Sequence, residues 1–410
     1  MQQAQAQSLR QGTLNQKHDP WIAAGRWLEK VFIKPFSNHL ALQKSLNFEF
    51  IILIMNVLSL RLLNQYISHP ALNSVKDLVK WMGAVQAQDY AGALWGLGLR
   101  LKNNRELDIE SAIQNKQIVR SWPMRGTLHF VAADDLRWML QLLAPRVIKR
   151  AASIYRQVEL DDKVFIRAKK IITAALSDGN NLTRRELYAI LERSKISCEG
   201  QRGLHILGYL AQKGLICFGP RNGKQQTFVL LEEWLPPVKT PTQDEALKKL
   251  AITYFRSHGP ATINDFAWWS GLSLTEVKTA IQYASADVIE EKINGQAYWM
   301  TPPSKIPTAS PGVFLLPPFD EYMVAYKNRS LAIDPKFADK VKASGNGIFT
   351  APIVTHGVMS GVWKRSFVKD GILIQLNPFA PMSKSATAGI ATAGRKLGKF
   401  FGMPVTLETD

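Results

Sequence analysis

The chain has 410 residues, with 51 Lys and Arg against 33 Asp and Glu, which gives a formal net charge of +18. At about 100–200 residues per domain, this length predicts two to four packed units rather than one core. Such an excess of positive charge favours a polyanionic partner, because cationic side chains bind phosphate. Anionic membrane is the competing partner, but the longest apolar run, Phe50 to Leu60, is too short to span a bilayer and lacks the form of a secretory signal.

Residue patterns that would hold a metal or cofactor do not occur in the sequence. Two lone cysteines, Cys198 and Cys217, can form neither a disulfide framework nor a CxxC metal site, and the seven histidines are scattered without ligand spacing. The GxGxxG, Walker A, GxSxG and HExxH motifs are missing. We therefore expect a cytoplasmic monomer, associated with the nucleoid in a bacterium, that uses neither metal nor cofactor.

Residues 1–57 open with a Gln/Ala run and share no pattern with the remainder, so we treat them as an unmatched N-terminal extension. Met55 is a candidate for the true start, with everything before it a translated upstream leader. A genuine flexible or helical extension is the alternative.

A motif of Ser or Thr, two residues, Asp or Glu and then a large apolar residue recurs at Ser74 to Asp77, Thr183 to Glu186 and Thr262 to Asp265. Each resembles a capping box and predicts a helix start. Each is followed by a second helical segment and a two-stranded hairpin, which together are typical of a winged helix-turn-helix. We predict three tandem units, over residues 58–157, 158–238 and 239–310. The alternative is that such helix pairs with hairpins occur in many α+β domains.

The predicted hairpins pair Ile118 to Trp122 with Thr127 to Val131, Leu215 to Gly219 with Gln226 to Leu231, and Val288 to Ile293 with Ala297 to Met300. Basic residues of the first two units are predicted to bind DNA: Lys116, Arg120, Arg125, Arg202, Arg221 and Lys224. The third hairpin carries Glu290 and Glu291, which would repel phosphates. We expect the third unit to be a scaffold.

Beyond a proline-rich stretch that ends at Pro311, apolar residues alternate with period two. Strands are predicted over Val313 to Leu316, Gly347 to Val354, Val358 to Phe367 and Gly371 to Leu376, with a hairpin about His356 and Gly357, followed by a basic helix over Ala388 to Phe401. Residues 311–410 thus form a β-rich, barrel-like domain, and the predicted fold class is α+β, mainly helical.

Gln86 and Gln88 directly follow the first predicted helix. Residues two apart diverge on a helix but share one side of an extended segment, where two amides could hold and orient a water. Since Gln3-Ala4-Gln5 repeats the same tripeptide in the tail, the pattern by itself favours a surface helix end over a catalytic pair. Its position, where the helix gives way to another conformation, is what lends it weight.

Three segments, Trp81 to Leu94, Ser121 to Val131 and Leu315 to Tyr322, resemble the AlkZ-like (YcaQ) family of winged-helix DNA glycosylases, and the resemblance extends from about Leu58 to the end. It implies tandem winged helices around DNA and a C-terminal β-domain. The family signature is Gln, an aliphatic residue and then Gln or Asp, and Gln86, Ala87 and Gln88 match it. The resemblance therefore implies that the two glutamines are catalytic.

The resemblance also implies a β-hairpin that probes DNA near the lesion, which by chain order is the one tipped by Thr355, His356 and Gly357. Arg125 and His129 are candidate DNA-binding residues of the first wing, with a structural role as the alternative.

The implied chemistry needs no strong acid, because alkylation at N7 of a purine already makes the base a good leaving group. The protein has to place a water at C1′ and stabilise an oxocarbenium-like sugar. The leading interpretation is a monofunctional DNA glycosylase that releases N7-alkylated purines from double-stranded DNA, with unhooking of interstrand crosslinks as an extension. The alternatives are a non-catalytic winged-helix DNA-binding protein or transcription regulator, and a basic peripheral membrane protein.

Overall fold

The computed structural model describes residues 57–302, 312–341 and 350–409. The candidate start at Met55 and the rest of the N-terminal extension before residue 57 lie outside these residues. So do the first three residues of the strand predicted from Gly347.

The first module begins with a helix over residues 57–64, α1, and then follows the order helix, short strand, two helices and hairpin. The Ser74 hydroxyl accepts from the Asp77 backbone N–H and caps the helix that begins at Val75, which confirms the predicted start. The sheet order is β1-β3-β2. The elements are α2 (Val75–Met82), β1 (Val85–Gln86), α3 (Tyr90–Gly98), α4 (Glu106–Gln114), β2 (Ile118–Met124) and β3 (Thr127–Ala132).

The second module repeats this order after a long helix, α5, over Ala133–Gln157. Thr183 and Glu186 form a reciprocal capping box, as predicted, and the sheet order is β4-β6-β5. The elements are α6 (Asp162–Leu176), β4 (Leu182–Thr183), α7 (Arg184–Arg193), α8 (Arg202–Gln212), β5 (Ile216–Phe218) and β6 (Thr227–Leu230).

The third module has three helices and a hairpin, and a bridge between Ala261 and Trp299 takes the place of the short first strand. Thr262 and Asp265 form the predicted capping box, and Gly271, at φ 73°, ends that helix in the left-handed conformation that glycine adopts readily. The short helix α9 (Leu231–Trp234) follows β6 and precedes this module, whose elements are α10 (Gln243–His258), α11 (Ile263–Ser270), α12 (Leu274–Tyr283), β7 (Ile289–Ile293) and β8 (Gln296–Met300).

The C-terminal part is a curled sheet with the strand order β13-β12-β11-β10-β9 among the described residues. Thr355 pairs with Val358 across the hairpin predicted at His356 and Gly357. The last strand was not predicted and pairs parallel to its neighbour. The elements are β9 (Val313–Leu315), α13 (Glu321–Val324), a 3₁₀ turn (Pro335–Phe337), α14 (Ala338–Val341), β10 (Ala351–Thr355), β11 (Val358–Val368), β12 (Gly371–Pro378), α15 (Lys384–Phe401) and β13 (Val405–Thr409).

Helix α15 begins earlier than predicted, at Lys384, and packs against both edge strands of the sheet through glycines. A Cβ atom at Gly389 would lie 2.5 Å from the Val313 side chain, and one at Gly398 would lie 2.7 Å from the Met403 carbonyl oxygen. The sheet therefore curls around this helix, and β9 and β13 remain its edges rather than closing a barrel.

Two apolar clusters fix the first module between its neighbours. One joins α2 and α3 to the C-terminal sheet and α15, with Leu78, Leu94, Ile374 and Leu397 in its centre. The other joins the residue before β1, Ala84, to the first hairpin, α5 and the third module. Strand β1 therefore lies where the first module, the third module and the C-terminal segment meet.

Gly398→Ala should destabilise the protein by about 1–3 kcal/mol, because an added methyl group overpacks a contact that includes backbone. Gly208→Ala is the matched control, since Gly208 is also helical and its Cβ would meet nothing within 4 Å. Relief of backbone entropy should there stabilise by about 0.5–1 kcal/mol. Thermal unfolding of both variants checks the opposite signs, and equal effects would contradict the packing of α15.

Candidate active site

The segment that carries Gln86 and Gln88 leaves the helix, as predicted. Helix α2 ends at Met82, and Gly83, at φ 78°, turns the chain into an extended conformation. Gln86 then pairs with His129, and the Ala87 amide donates to the Leu128 carbonyl over 2.7 Å. Gln86 therefore lies on the edge strand beside the first hairpin and Gln88 just beyond the end of that strand, with Gln86 buried and Gln88 exposed.

Both side-chain amides have a defined orientation. The Gln86 Oε1 accepts from the Arg125 Nη2 over 3.2 Å, and the Gln88 Oε1 accepts from the Leu128 amide over 2.8 Å. A guanidinium and a backbone N–H can only donate, so each glutamine must direct its carbonyl oxygen to its partner. The orientation of each amide thus follows from the chemistry of the partner.

Arg125 and His129 both lie next to Gln86 and contact each other. His129 is fully buried, and its Nδ1 lies 2.9 Å from the Thr127 carbonyl, which can only accept. The Nε2 therefore accepts from the Arg125 Nη2, at 3.1 Å. Burial, with the charge of Arg125, lowers the pKa of His129 to about 3, so the imidazole is neutral at physiological pH.

A carboxylate that was not singled out from the sequence lies on the other side of the strand. Glu321 is fully buried, and its Oε1 accepts from the backbone N–H of Gln86 over 2.8 Å. Its Oε2 accepts from the Trp269 indole over 3.0 Å and lies 3.5 Å from the His258 Nε2. Burial raises the pKa of Glu321, but the neighbouring His258 and the charge of Arg125 outweigh it and hold the pKa below its ordinary value.

The neighbouring Asp320 forms a buried ion pair with Arg100 of the first module, with Nη–Oδ distances of 2.7 and 2.8 Å. Two consecutive acidic residues in the otherwise apolar segment from Leu315 to Val324 were the available signal for this part of the site.

Arg120, predicted to contact DNA, is buried and donates from Nε and Nη2 to the Ala87 carbonyl, over 3.0 and 2.7 Å. Its guanidinium also lies over the Tyr90 and Phe218 rings. Burial lowers its pKa to about 10. In the structure this side chain holds the residue between the two glutamines.

The other predicted DNA-binding cations differ in what they contact. Lys116 is exposed over the Trp234 ring, and Arg221 pairs with Glu110 over 2.7 Å. Lys224 is exposed at the turn of the second hairpin. Arg202 donates to the main-chain carbonyls of Ser197, Val158 and Glu159. DNA contact by these four residues stays a prediction.

The hairpin tip predicted to probe DNA packs against the protein on one side. The Tyr322 hydroxyl donates to the Gly357 carbonyl over 2.7 Å, and a Cβ atom at Gly357 would lie 2.8 Å from Leu58 Cβ. Thr355 bonds to the Ser360 hydroxyl, while His356 is exposed. A role of Thr355 and His356 in DNA binding stays a prediction.

A different strand of the sheet contacts the segment that follows the glutamines. The Arg365 Nη2 of β11 lies 3.7 Å from the carboxylate of Asp89, the residue directly after Gln88.

Within the described ranges, no cluster of three or more His, Cys, Asp or Glu is placed to hold a metal ion. Over the same ranges, none of the helices combines the length and apolar character that crossing a membrane requires.

A family model described as DNA glycosylase AlkZ-like matches residues 79–400. The enzyme is a DNA glycosylase, as predicted, and acts on DNA. The chain belongs to the AlkZ-like DNA glycosylase family. The interstrand DNA cross-link repair glycosylase of Streptomyces sahachiroi is 26% identical over 334 residues, which cover 75% of this chain and 86% of the relative.

A solved structure of Streptomyces sahachiroi DNA glycosylase AlkZ has the same fold, with a TM-score of 0.71 at 22% identity, over 86% of this chain and 98% of that one. The family does not favour the non-catalytic alternative. The predicted α+β fold class is confirmed.

His129→Gln should flatten the dependence of stability on pH. The folded-state pKa of His129 lies below its ordinary value of 6.5. As pH falls from about 6.5 to 3, the imidazole is therefore protonated in the unfolded chain but not in the folded protein, and the free energy of unfolding decreases. One such group costs up to about 1.4 kcal/mol for each pH unit in this window. Urea unfolding at pH 7 and 5 measures the difference.

The exposed His69→Gln is the control for this measurement and should keep the wild-type difference. If His129→Gln also keeps it, the buried imidazole must take up a proton in the folded protein.

Proposed function

We propose that this enzyme hydrolyses the N-glycosidic bond of N7-alkylated purines in double-stranded DNA, and that Gln86 and Gln88 hold the attacking water. The observation that carries the proposal is the orientation of the two side-chain amides at the end of strand β1, set by Arg125 and by the Leu128 backbone N–H. An amide oxygen has two lone pairs, so each can accept from the protein and from a water.

A site built on neutral amides suits a substrate whose leaving group is already activated. N7 alkylation places positive charge on the purine, and the remaining demand is a positioned water and a stabilised sugar cation. An unmodified purine would need protonation by a general acid. The buried, neutral His129 is not suited to that role at neutral pH.

We extend the proposal to the unhooking of interstrand crosslinks, since the relative from Streptomyces sahachiroi is named as a cross-link repair glycosylase. The same hydrolysis at C1′ would release one end of a crosslink between two N7-alkylated purines. We propose further that the enzyme acts as a cytoplasmic monomer.

We also propose that the three modules are winged-helix units, over residues 58–157, 158–238 and 239–310, with a C-terminal β-domain over 311–410. Their shared order of helices and hairpin supports this, as do the sheet orders β1-β3-β2 and β4-β6-β5. The first two units and the hairpin tip at Thr355 and His356 would contact DNA. The exposed Glu290 and Glu291 fit a scaffold role for the third.

The decisive experiment is base release from duplex DNA that contains 7-methylguanine or a defined crosslink. The wild type should release the free base, and Gln86→Ala with Gln88→Ala should reduce the single-turnover rate by at least about 100-fold, because the water loses its position. DNA binding should be retained. Wild-type release by this double variant would refute the assignment.

Lys224→Ala should weaken DNA binding uniformly and reduce the slope of log affinity against log salt by about 1, because one phosphate contact is lost. Lys292→Ala on the third hairpin is the matched control and should leave the slope unchanged. Binding at a series of salt concentrations measures both. Equal slopes for Lys224→Ala and the wild type would contradict a phosphate contact of the second hairpin through Lys224.

A further inference from the structure

We infer that Glu321 is a positioning residue for hydrolysis, which fixes Gln86 through its backbone N–H. The inference rests on the proposed catalytic role of Gln86. Glu321 is fully buried, so its carboxylate acts through neighbouring residues rather than by touching DNA.

The first part of the argument concerns the backbone. Strand β1 has only two residues and pairs with β3 along one side. The Gln86 N–H points to the other side, where none of the described strands pairs with β1, and the Glu321 Oε1 accepts it over 2.8 Å. A bond between an N–H and an ionised carboxylate is roughly twice as strong as one between neutral groups. The carboxylate therefore substitutes for a missing strand.

The second part concerns the side chain of Gln86. Its Oε1 accepts from the Arg125 Nη2 over 3.2 Å, and the same Nη2 donates to the His129 Nε2 over 3.1 Å. The position of the side-chain oxygen relative to this donor depends on the position of the Gln86 backbone, which Glu321 fixes. A shift of the backbone in a variant at position 321 would therefore weaken the contact with Arg125.

The third part concerns the other donors. The Trp269 indole can only donate, and so can the Gln86 N–H, and they meet different oxygens of the same carboxylate. A carboxamide has one acceptor oxygen, so in Glu321→Gln its NH₂ group must face one of the two donors. The nearly isosteric change therefore breaks a contact without opening a cavity.

Glu321→Gln should lower the single-turnover rate of base release by about 10- to 100-fold, because small misplacement of a reacting group has costs of this size. The affinity for lesion-containing DNA should change by less than about two-fold. The measurement uses the full-length protein with 7-methylguanine duplex, well below the melting temperature of each variant. A wild-type rate in folded Glu321→Gln overturns the inference.

Asp265→Asn is the matched control for general loss of stability. Asp265 is also a buried carboxylate of the same region, and it accepts from the backbone N–H groups of Lys327 and Thr262 rather than from Gln86. Its variant should melt at lower temperature and keep the wild-type single-turnover rate. If it loses as much rate as Glu321→Gln, the effect of position 321 is structural and the inference fails.

If Glu321→Gln does not fold, Glu321→Asp takes its place, because it keeps the charge and withdraws the carboxylate by one methylene group. The same fall in rate is expected, and a wild-type rate again overturns the inference. The Gln86→Ala, Gln88→Ala variant is assayed in parallel. If that variant is active, the proposed function fails; if it is inactive while the position-321 variants are fully active, only the role of Glu321 fails.

Discussion

A fully buried carboxylate is costly unless charged or polar groups surround it, and the arrangement of this molecule follows from how Glu321 is surrounded. One donor comes from the first module and two neighbours come from the third, Trp269 and His258. Asp320, the preceding residue, forms a buried ion pair with Arg100, which lies just after helix α3. Two consecutive acidic residues thus attach the C-terminal segment to both modules, and displacement of either module would expose a charge without a partner.

The glutamines are held by groups that donate hydrogen bonds, and the residue between them is held by its carbonyl. Arg125 and the Leu128 amide take the two side-chain oxygens, and Arg120 takes the Ala87 carbonyl. Burial holds the pKa of His129, beside Gln86, well below neutral pH, so its imidazole is neutral there. Under the proposed mechanism such a site relies on a substrate whose leaving group is already activated, as in a damaged base.

The sequence was sufficient where structure is local. Capping at Ser74, Thr183 and Thr262 involves side chains and amides three residues apart, and the hairpins close over short turns, so both could be predicted. Strands β1 and β13 were missed because a two-residue strand has no periodicity and a parallel partner is not adjacent in sequence.

The site itself was predicted only in part. Gln86 and Gln88 could be singled out because they follow a helix end, but the burial of Arg120 depends on Tyr90 and Phe218, from two separate segments. In the sequence, this basic side chain suggested a phosphate contact, whereas in the structure it donates to the backbone carbonyl of Ala87. Glu321 was hidden for the same reason, since its partners are known only when distant segments have been brought together.

The contacts of helix α1 and of β1 span long stretches of chain. Arg61 donates to the Pro260 carbonyl, 199 residues away, and Gln86 to Glu321, 235 residues away. Closing loops of this length costs entropy before the contacts form, which slows folding. During synthesis, a chain that has emerged only as far as the third module already contains both glutamines but lacks the carboxylate that accepts from the Gln86 backbone N–H. We therefore expect the candidate site to be assembled late, after most of the chain has been made.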